Sequence, residues 1–371
     1  MRFPEFTEEW QGEQLHEIAE LSKGIGISKE QLSENGTPCI LYGELYTKYK
    51  SEIISKIISK TDIEKSKLKH SKQNDVIIPC SGETAIDIAV ARCVPFDNVL
   101  LGGDMNVIRL HKYDGAFMAY QLNGKRKTDI AKLAQGVSVV HLYGENLKSI
   151  KTYNPSLQEQ QKIVKLLSML DERLEVQNKI IEDLKKLKSA IRKKIFSLLK
   201  DEYTKSFEIN QLLDYEQPTA YIVANDEYST DTRLTPVLTA NKGFILGYTD
   251  EKNGIYQKGA CIIFDDFTMD AKYVSFPFKV KSSAIKILTA KPNVNLRFMF
   301  EYLSHWELKS EEHKRHYISE ISPLVIELPS KEKQNIIALL MTSLNNKLTI
   351  EEKAKIRYEV QKGYLLSQMF I

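Results

Sequence analysis

Few residue patterns in this 371-residue chain could support catalysis, and each of them is incomplete. A DNA methyltransferase needs an Asn/Asp-Pro-Pro-Tyr/Phe motif and a glycine-rich cofactor turn, but Asn154-Pro155 continues with Ser-Leu. Gly24-Ile-Gly26 is not followed by the third glycine of a nucleotide-binding turn, and the sequence contains no Walker A lysine motif. The sequence therefore predicts that this chain neither transfers methyl groups nor binds ATP.

Acidic and histidine pairs are the next candidates, in this case for metal binding. Asp265-Asp266 follows an apolar run and could hold Mg²⁺. No Glu-x-Lys partner follows, so a turn or a base-contacting acid is the favoured interpretation. His313 and His316 are three residues apart in a charged run without a third ligand, which favours a solvated or phosphate-facing segment over zinc. The sequence therefore predicts no metal site.

The cysteines are far apart and contain no Cys-x-x-Cys pair, which argues against a zinc knuckle and a disulfide framework. They are Cys39, Cys80, Cys93 and Cys261. We expect them to be small buried hydrophobic residues.

Charge and composition are those of an ordinary globular protein, with 42% hydrophobic residues, 27% charged residues and a net charge of +3. This charge is low for a protein that binds DNA, so basic groups would have to concentrate on one face. No stretch approaches the roughly 18 apolar residues of a membrane span. The segment Met1–Trp10 carries three glutamates and lacks the order of a signal peptide, so we expect a cytoplasmic protein.

A basic cluster, Lys185, Lys186, Lys188, Arg192, Lys193 and Lys194, precedes residue 200. It could contact DNA. A solvated helix face that also suits a helix C-terminus electrostatically is the favoured interpretation.

An internal repeat constrains the elements that must position any functional residue. Pro155-Ser-Leu-Gln-Glu-Gln-Gln-Lys-Ile resembles Pro329-Ser-Lys-Glu-Lys-Gln-Asn-Ile-Ile, at an offset of 174 residues. Without any gap, the same offset aligns Tyr143 with Tyr317 and Gln160 with Gln334. Each copy begins with Pro-Ser, a suitable helix start, and continues for about forty residues without an internal proline. Both copies are therefore predicted to be long helices.

Apolar residues recur every seven positions along both predicted helices, which indicates a coiled-coil seam. The predicted seam positions are Ile163, Leu170, Gln177, Leu184 and Ile191 in the first helix, and Ile337, Leu344, Glu351, Tyr358 and Leu365 in the second. The first series also extends to Leu198. Gln177 and Glu351 are equivalent and lie midway along their helices, so they would face each other in an antiparallel pair. The alternative is that both point to solvent.

The segments ahead of the two helices have the mixed periodicity of small α+β globules. Strands are predicted at Asp75–Pro79, Asn98–Leu101 and Met105–Leu110 in the first. In the second globule, strands are predicted at 222–223, 261–264, 273–276 and 278–281. One short helix is predicted in each globule, at 28–34 in the first and at 296–306 in the second. The boundaries are 1–154 and 201–328 for the globules and 155–200 and 329–371 for the helices. Little obvious sequence is shared between the two globules, which is expected if each reads a different target.

Several motifs resemble those of specificity subunits of type I restriction-modification enzymes. Trp10-Gln-Gly-Glu-Gln-Leu-His-Glu-Ile-Ala and Gly36-Thr-Pro-Cys-Ile-Leu-Tyr look like the opening of a target recognition domain. Gln135-Gly-Val-Ser-Val-Val-His-Leu looks like the end of one. Tyr215-Glu-Gln-Pro-Thr-Ala-Tyr and Phe264-Asp-Asp-Phe-Thr resemble a variant of the same module. The resemblance covers nearly the whole chain.

This resemblance implies an α+β fold with a pseudo-twofold internal repeat, in which two target recognition domains are separated by an antiparallel coiled coil. Such a subunit is non-catalytic and needs no cofactor. It reads a split double-stranded DNA target, one half per domain. It recruits two methyltransferase subunits, and motor-nuclease subunits complete the complex away from any membrane.

By the same analogy, loop residues with basic, hydroxyl, amide or acidic groups are the candidates for DNA contact. In the first domain these are Lys23, Ser81, Glu83, Thr84 and Gln135, and in the second they are Asn241, Lys242, Thr268, Lys281 and Ser282. Taken alone, each is more often an ordinary surface residue. Two other functions stay open, namely the recognition portion of a fused or split methyltransferase-nuclease and a coiled-coil scaffold without a DNA role.

Overall fold

The computed structural model describes residues 2–64, 66, 68–199, 205–240, 243–306 and 315–370. The chain divides into two compact units. Unit 1 comprises 1–179 and 353–371, and unit 2 comprises 180–352. Each boundary falls inside a long helix, so each long helix contributes one part to each unit. None of the helices in the described part of the chain combines the length and apolar character needed to span a bilayer.

Unit 1 contains thirteen of the strands in the described residues. They are β1 (Gln11–Gln14), β2 (Ala19–Lys23), β3 (Leu32–Ser33), β4 (Thr37–Ile40), β5 (Ser59–Thr61), β6 (Lys69–His70), β7 (Asp75–Pro79), β8 (Ser81–Gly82), β9 (Arg92–Val94), β10 (Leu100–Leu101), β11 (Met105–Leu110), β12 (Val140–His141) and β13 (Lys151–Asn154). Its helices include α1 (Leu15–Ile18), α2 (Glu44–Thr47), α3 (Ala85–Ile88), α4 (Gly115–Asn123), α5 (Lys127–Lys132), α6 (Gly144–Leu147), the first part of α7 (Leu157–Leu199) and the last part of the second long helix.

Two sheets form the body of unit 1. An antiparallel sheet has the order β2-β11-β7-β9, and a second sheet has the order β3-β5-β4-β10-β6, with β4 and β10 parallel. The apolar run of β7 is buried on both faces, because Val76 and Ile78 join one core cluster while Ile77 joins another. Strands β1 and β13 pair and close the domain ahead of α7.

Unit 2 contains nine strands among its described residues. They are β14 (Lys205–Glu208), β15 (Leu213–Glu216), β16 (Thr235–Leu238), β17 (Ile245–Thr249), β18 (Cys261–Asp265), β19 (Ala271–Val274), β20 (Lys279–Val280), β21 (Ile285–Ala290) and β22 (Val325–Leu328). Its helices include α8 (Ile209–Leu212), α9 (Leu296–His305), a π-helical turn at Tyr317–Ile321 and the first part of α10 (Lys331–Met369).

The two units repeat one topology. The sheet β15-β21-β18-β19 has the same order as β2-β11-β7-β9, and β17-β16-β20 matches β5-β4-β10, including its parallel pair. The pair β14 and β22 repeats β1 and β13, and α9 follows β21 as α4 follows β11. The repeat seen in the helices therefore extends to the globules, although their sequences share little.

The long helices pack antiparallel within each unit. In unit 1, Asp171 of α7 bonds Lys362 of α10, and Arg173 of α7 lies over the ring of Tyr358 of α10. A later residue of α7 thus contacts an earlier residue of α10, so the two helices run in opposite directions. In unit 2, Phe196 and Leu199 share a buried cluster with Ile337 and Met341. This arrangement agrees with the predicted fold class.

The ten seam positions are buried or half-buried. Ile163, Leu170, Gln177, Ile337 and Leu365 belong to the buried group. The extension of the seam to Leu198 is wrong, because this side chain is 47% exposed while the adjacent Leu199 is buried. The Oε1 atom of Glu351 lies 2.5 Å from Lys347 Nζ. The pairing of Gln177 with Glu351 stays a prediction.

The strands at Asp75–Pro79 and Met105–Leu110 have the predicted bounds. The helix expected at 28–34 is wrong, because only Lys29–Gln31 forms a 3-10 turn. Leu32 then becomes extended and pairs with Thr61. Residues 222–223 form no strand, and Ile222 makes one isolated bridge to Val280.

Candidate nucleic-acid interface

Three segments of unit 1 meet where β7 ends and β11 begins. The backbone N–H of Cys80 donates to Asp104 O at 2.7 Å, and the N–H of Leu142 donates to Cys80 O at 2.7 Å. We call residues 80–84, 102–104 and 135–143 the first loop edge.

Unit 2 builds the equivalent edge with an equivalent backbone network. The N–H of Asp266 donates to Ala284 O at 2.7 Å, and the N–H of His316 donates to Asp266 O at 2.9 Å. We call residues 266–269, 281–284 and 315–317 the second loop edge. Both edges lie at the ends of buried strands, which hold the backbone while the exposed side chains are free to differ between domains.

The predicted DNA-contacting residues of the first domain lie at or beside the first loop edge. Ser81 pairs with His141 between β8 and β12, and the backbone N–H and carbonyl of Gln135 both bond His141. Thr84 caps α3 by accepting the N–H of Asp87 at 3.2 Å. Glu83, the residue before this cap, is exposed, and Lys23 ends β2 opposite Asn106.

In the second domain, three of the five predicted residues lie at the second loop edge. Thr268 is exposed in the turn after β18, and Lys281 and Ser282 are exposed in the segment before β21. The N–H of Lys281 donates to Leu238 O at 3.1 Å. Asn241 and Lys242 lie outside the described residues.

The carboxylates of Asp265 and Asp266 bond within the protein. Asp265 Oδ1 accepts the N–H groups of Phe267 and Thr268, both at 2.9 Å. Asp266 Oδ1 accepts the N–H of Tyr317 at 2.7 Å, and Oδ2 lies 3.2 Å from Lys286 Nζ. Asp266 and Lys286 are each 1% exposed. These two acids therefore organise the second loop edge.

No group of three or more potential ligands with a metal-binding arrangement occurs among the residues that the structure describes. His316 lies at the second loop edge, where Nδ1 is 2.8 Å from Glu320 Oε2. His313 is outside the described residues.

Two members of the basic cluster near the end of α7 bond acids of unit 2. Arg192 bonds Glu301, whose side chain is fully buried, at 2.7 Å, and Lys185 lies 3.0 Å from Glu352. Burial lowers the pKa of Lys188. These contacts favour a structural role for Arg192 and Lys188 over a role in binding phosphates, whereas Lys193 and Lys194 are exposed.

All four cysteines are buried and free, as predicted. Burial raises the pKa of Cys39 and Cys80 to about 11 and that of Cys93 and Cys261 to about 12. Their thiols are therefore neutral and poorly nucleophilic at physiological pH.

The predicted set omitted several exposed residues of the loop edges, and two of these occupy equivalent positions. They are His141, whose ring stacks on Tyr143 at 6.3 Å, and Arg315, whose guanidinium lies 5.8 Å from the ring centroid of Phe267. The offset that aligns Tyr143 with Tyr317 also aligns these two residues. Extending the repeat two residues upstream of the tyrosines would have identified them.

Comparison with known proteins places this architecture in one family. A family model described as the type I restriction modification DNA specificity domain matches residues 7–186 and again residues 201–360. The chain is 39% identical, over 178 aligned residues, to the specificity subunit of the type I restriction enzyme EcoR124I/EcoR124II of Escherichia coli. That match covers 43% of this chain and 43% of the relative. A putative type I restriction enzyme MjaX specificity subunit of Methanocaldococcus jannaschii is 24% identical over 98% of this chain and 93% of that protein.

Solved structures show the same fold at low sequence identity. The S subunit of the type I restriction-modification system from M. genitalium aligns with a TM-score of 0.68 and 18% identity, covering 100% of this chain and 97% of that one. A chain from a study of complex assembly and conformational transition of the type I R-M system aligns with a TM-score of 0.55 and 12% identity, over 97% of both chains. Because the family model matches twice and covers most of the sequence, this chain belongs to the family of type I restriction-modification DNA specificity domains.

Proposed function

We propose that this chain is the DNA-reading specificity subunit of a type I restriction-modification complex. The domains at 1–154 and 201–328 each read one half of a split target in double-stranded DNA. The helices at 155–200 and 329–371 set the spacing between the halves. The subunit acts in the cytoplasm, where its target DNA lies.

The observation that carries this proposal is the pair of loop edges. One backbone network recurs in both units, yet the side chains that it presents differ. Sequence-specific reading requires donors and acceptors that can change without disturbing the fold, because bases are distinguished by hydrogen bonds to their edges. A scaffold protein without a DNA role would have no need of two such edges with different chemistry.

We further propose that the chain performs no chemistry and recruits two methyltransferase subunits, which motor-nuclease subunits join. Several large apolar residues on α10 are exposed. They include Ile336, Leu339, Ile350, Ile356, Val360 and Tyr364, which are 56–71% exposed. Of these, Ile356, Val360 and Tyr364 belong to unit 1 and recur every four residues, so they line one face of α10. Such a face suits a partner subunit that buries it.

Mapping of methylated adenines in genomes with and without this gene tests the reading function. We expect a bipartite motif that disappears when the gene is deleted and returns when it is restored. The purified chain alone should transfer no methyl group to DNA. Methyl transfer by the chain alone would favour a fused or split enzyme, whereas an unchanged methylation pattern would favour a scaffold.

Co-purification tests the recruiting function. The double variant Ile356→Glu/Val360→Glu places charges on the exposed apolar face of α10, and we expect it to lose the methyltransferase subunits. The control is Gln361→Glu, which adds one negative charge at the exposed polar position next to Val360. Equal retention by both variants would exclude this face as the docking surface.

A further inference from the structure

His141 and Arg315 occupy equivalent positions in the two loop edges. They are separated by the same 174 residues as Pro155 and Pro329. The residue after His141 is Leu142, whose N–H donates to the carbonyl of Cys80, just after β7. The residue after Arg315 is His316, whose N–H donates to the carbonyl of Asp266, just after β18. The fold therefore holds both backbones in the same setting and leaves the two side chains to differ.

The His141 side chain is presented from a fixed backbone. Residue 141 pairs with Ser81 in β8, and its N–H and carbonyl both bond Gln135. The imidazole is exposed and stacks on the ring of Tyr143, which is itself 47% exposed. Neutral imidazole offers one donor and one acceptor to a base edge.

Arg315 is held differently, by contacts along one side of its guanidinium group. Nη1 lies 4.0 Å from the buried Asp266 Oδ2, Nη2 lies 3.5 Å from Ser283 Oγ, and the group lies over the ring of Phe267. The side chain is still 50% exposed. Both contacts are long, at 3.5 and 4.0 Å, and half of the side chain is accessible. A guanidinium fork matches the O6 and N7 acceptors of guanine.

We propose that His141 and Arg315 determine base preference in the first and second half-sites, respectively, with Arg315 reading a guanine. This inference rests on the proposed function and adds to it the residues that make the two halves of the target different. Lys23 and Lys281, the lysines at or beside these edges, are suited to phosphates as point charges.

The test is to map methylated adenines in cells whose only copy of the gene encodes His141→Ala, Arg315→Ala or the wild-type chain. Matched controls are His111→Ala and Lys291→Ala, which follow the opposite ends of β11 and β21, about 20 Å away along a six-residue strand. We expect discrimination at one base pair to fall roughly tenfold or more in one half-site, with the other half-site unchanged. The controls should leave both half-sites unchanged.

Selection of bound duplexes from a random library by the full methyltransferase complex provides a second measurement if a variant no longer methylates DNA. A relaxed base in only the expected half-site supports the proposal. An unchanged motif, or weaker binding with the same motif, overturns it and indicates at most a phosphate contact. A wild-type chain that yields no bipartite motif would instead refute the proposed function itself.

Discussion

Gln160 and Gln334 show how single residues tie each long helix to its domain. Both are almost fully buried. Gln160 Oε1 accepts the N–H of Asp114 at 2.9 Å, and its Nε2 donates to Pro155 O at 2.8 Å. Gln334 makes the same two bonds to Asn295 and to its own preceding proline. Asp114 and Asn295 cap α4 and α9, so each glutamine joins two helix starts.

Replacing either glutamine with alanine should lower the free energy of unfolding by about 1–3 kcal/mol, because buried backbone groups would lose their partners. The measurement is the midpoint of urea unfolding. Gln161→Ala, at the adjacent exposed position, should shift the midpoint little. Equal shifts in Gln160→Ala and Gln161→Ala would show that the buried bonds contribute nothing measurable.

At the scale of elements, Lys362 joins α10 to α7 and to the segment after α2. Its Nζ lies 2.5 Å from Asp171 Oδ1 and also contacts Glu52. Tyr120 donates to Asp171 Oδ2 at 2.6 Å, and Ser51 donates to the same atom at 2.9 Å. Burial raises the pKa of Glu52, an effect that Lys362 opposes. The single ammonium group therefore offsets part of the negative charge of these two carboxylates.

Lys362→Met should destabilise unit 1 by about 3–5 kcal/mol at pH 8, because it leaves these carboxylates buried without their cation. Because burial already raises the pKa of Glu52 and Lys362 opposes this, the folded pKa of Glu52 would then lie further above the unfolded one. A carboxyl with a raised folded pKa stabilises the fold at low pH, and this contribution is lost as the pH rises through the folded pKa. The deficit relative to the wild type should therefore be smaller at pH 5 than at pH 8.

Thermal unfolding at both pH values measures this deficit. The control is Lys355→Met on the same helix, where Lys355 forms a surface pair with Glu359 at 3.7 Å. A deficit that does not change with pH would contradict the role assigned to Lys362.

At the scale of the whole molecule, the thiols report on each unit separately. Cys39, Cys80 and Cys93 belong to unit 1, and Cys261 belongs to unit 2. We expect no thiol of the native chain to react with an aromatic disulfide reagent within minutes at pH 8, because all are buried with raised pKa values. If the three thiols of unit 1 become reactive at a lower urea concentration than Cys261, unit 1 is the less stable unit. A thiol that reacts rapidly without urea would contradict the burial.

Sequence patterns predicted local features well and long-range ones poorly. The long helices were predictable because Pro-Ser starts and seven-residue spacing are local signals. The repeat aligned Gln160 with Gln334, but it did not show which groups these side chains bond. Asp114, which donates to Gln160, is 46 residues away in sequence. The turn at Lys29–Gln31 was predicted as a longer helix because its end is set by the pairing of Leu32 with Thr61.

The sequence by itself determined the duplicated helices, the family resemblance and most of the loops in which the candidate residues lie. Only the tertiary structure showed that both globules share one strand order, and that His141 and Arg315 stand at equivalent places in it. The helices were predictable because the spacing of apolar residues in a helix is set within a few consecutive turns. Strand pairing instead depends on partners far along the chain, and many different sequences satisfy the same pairing.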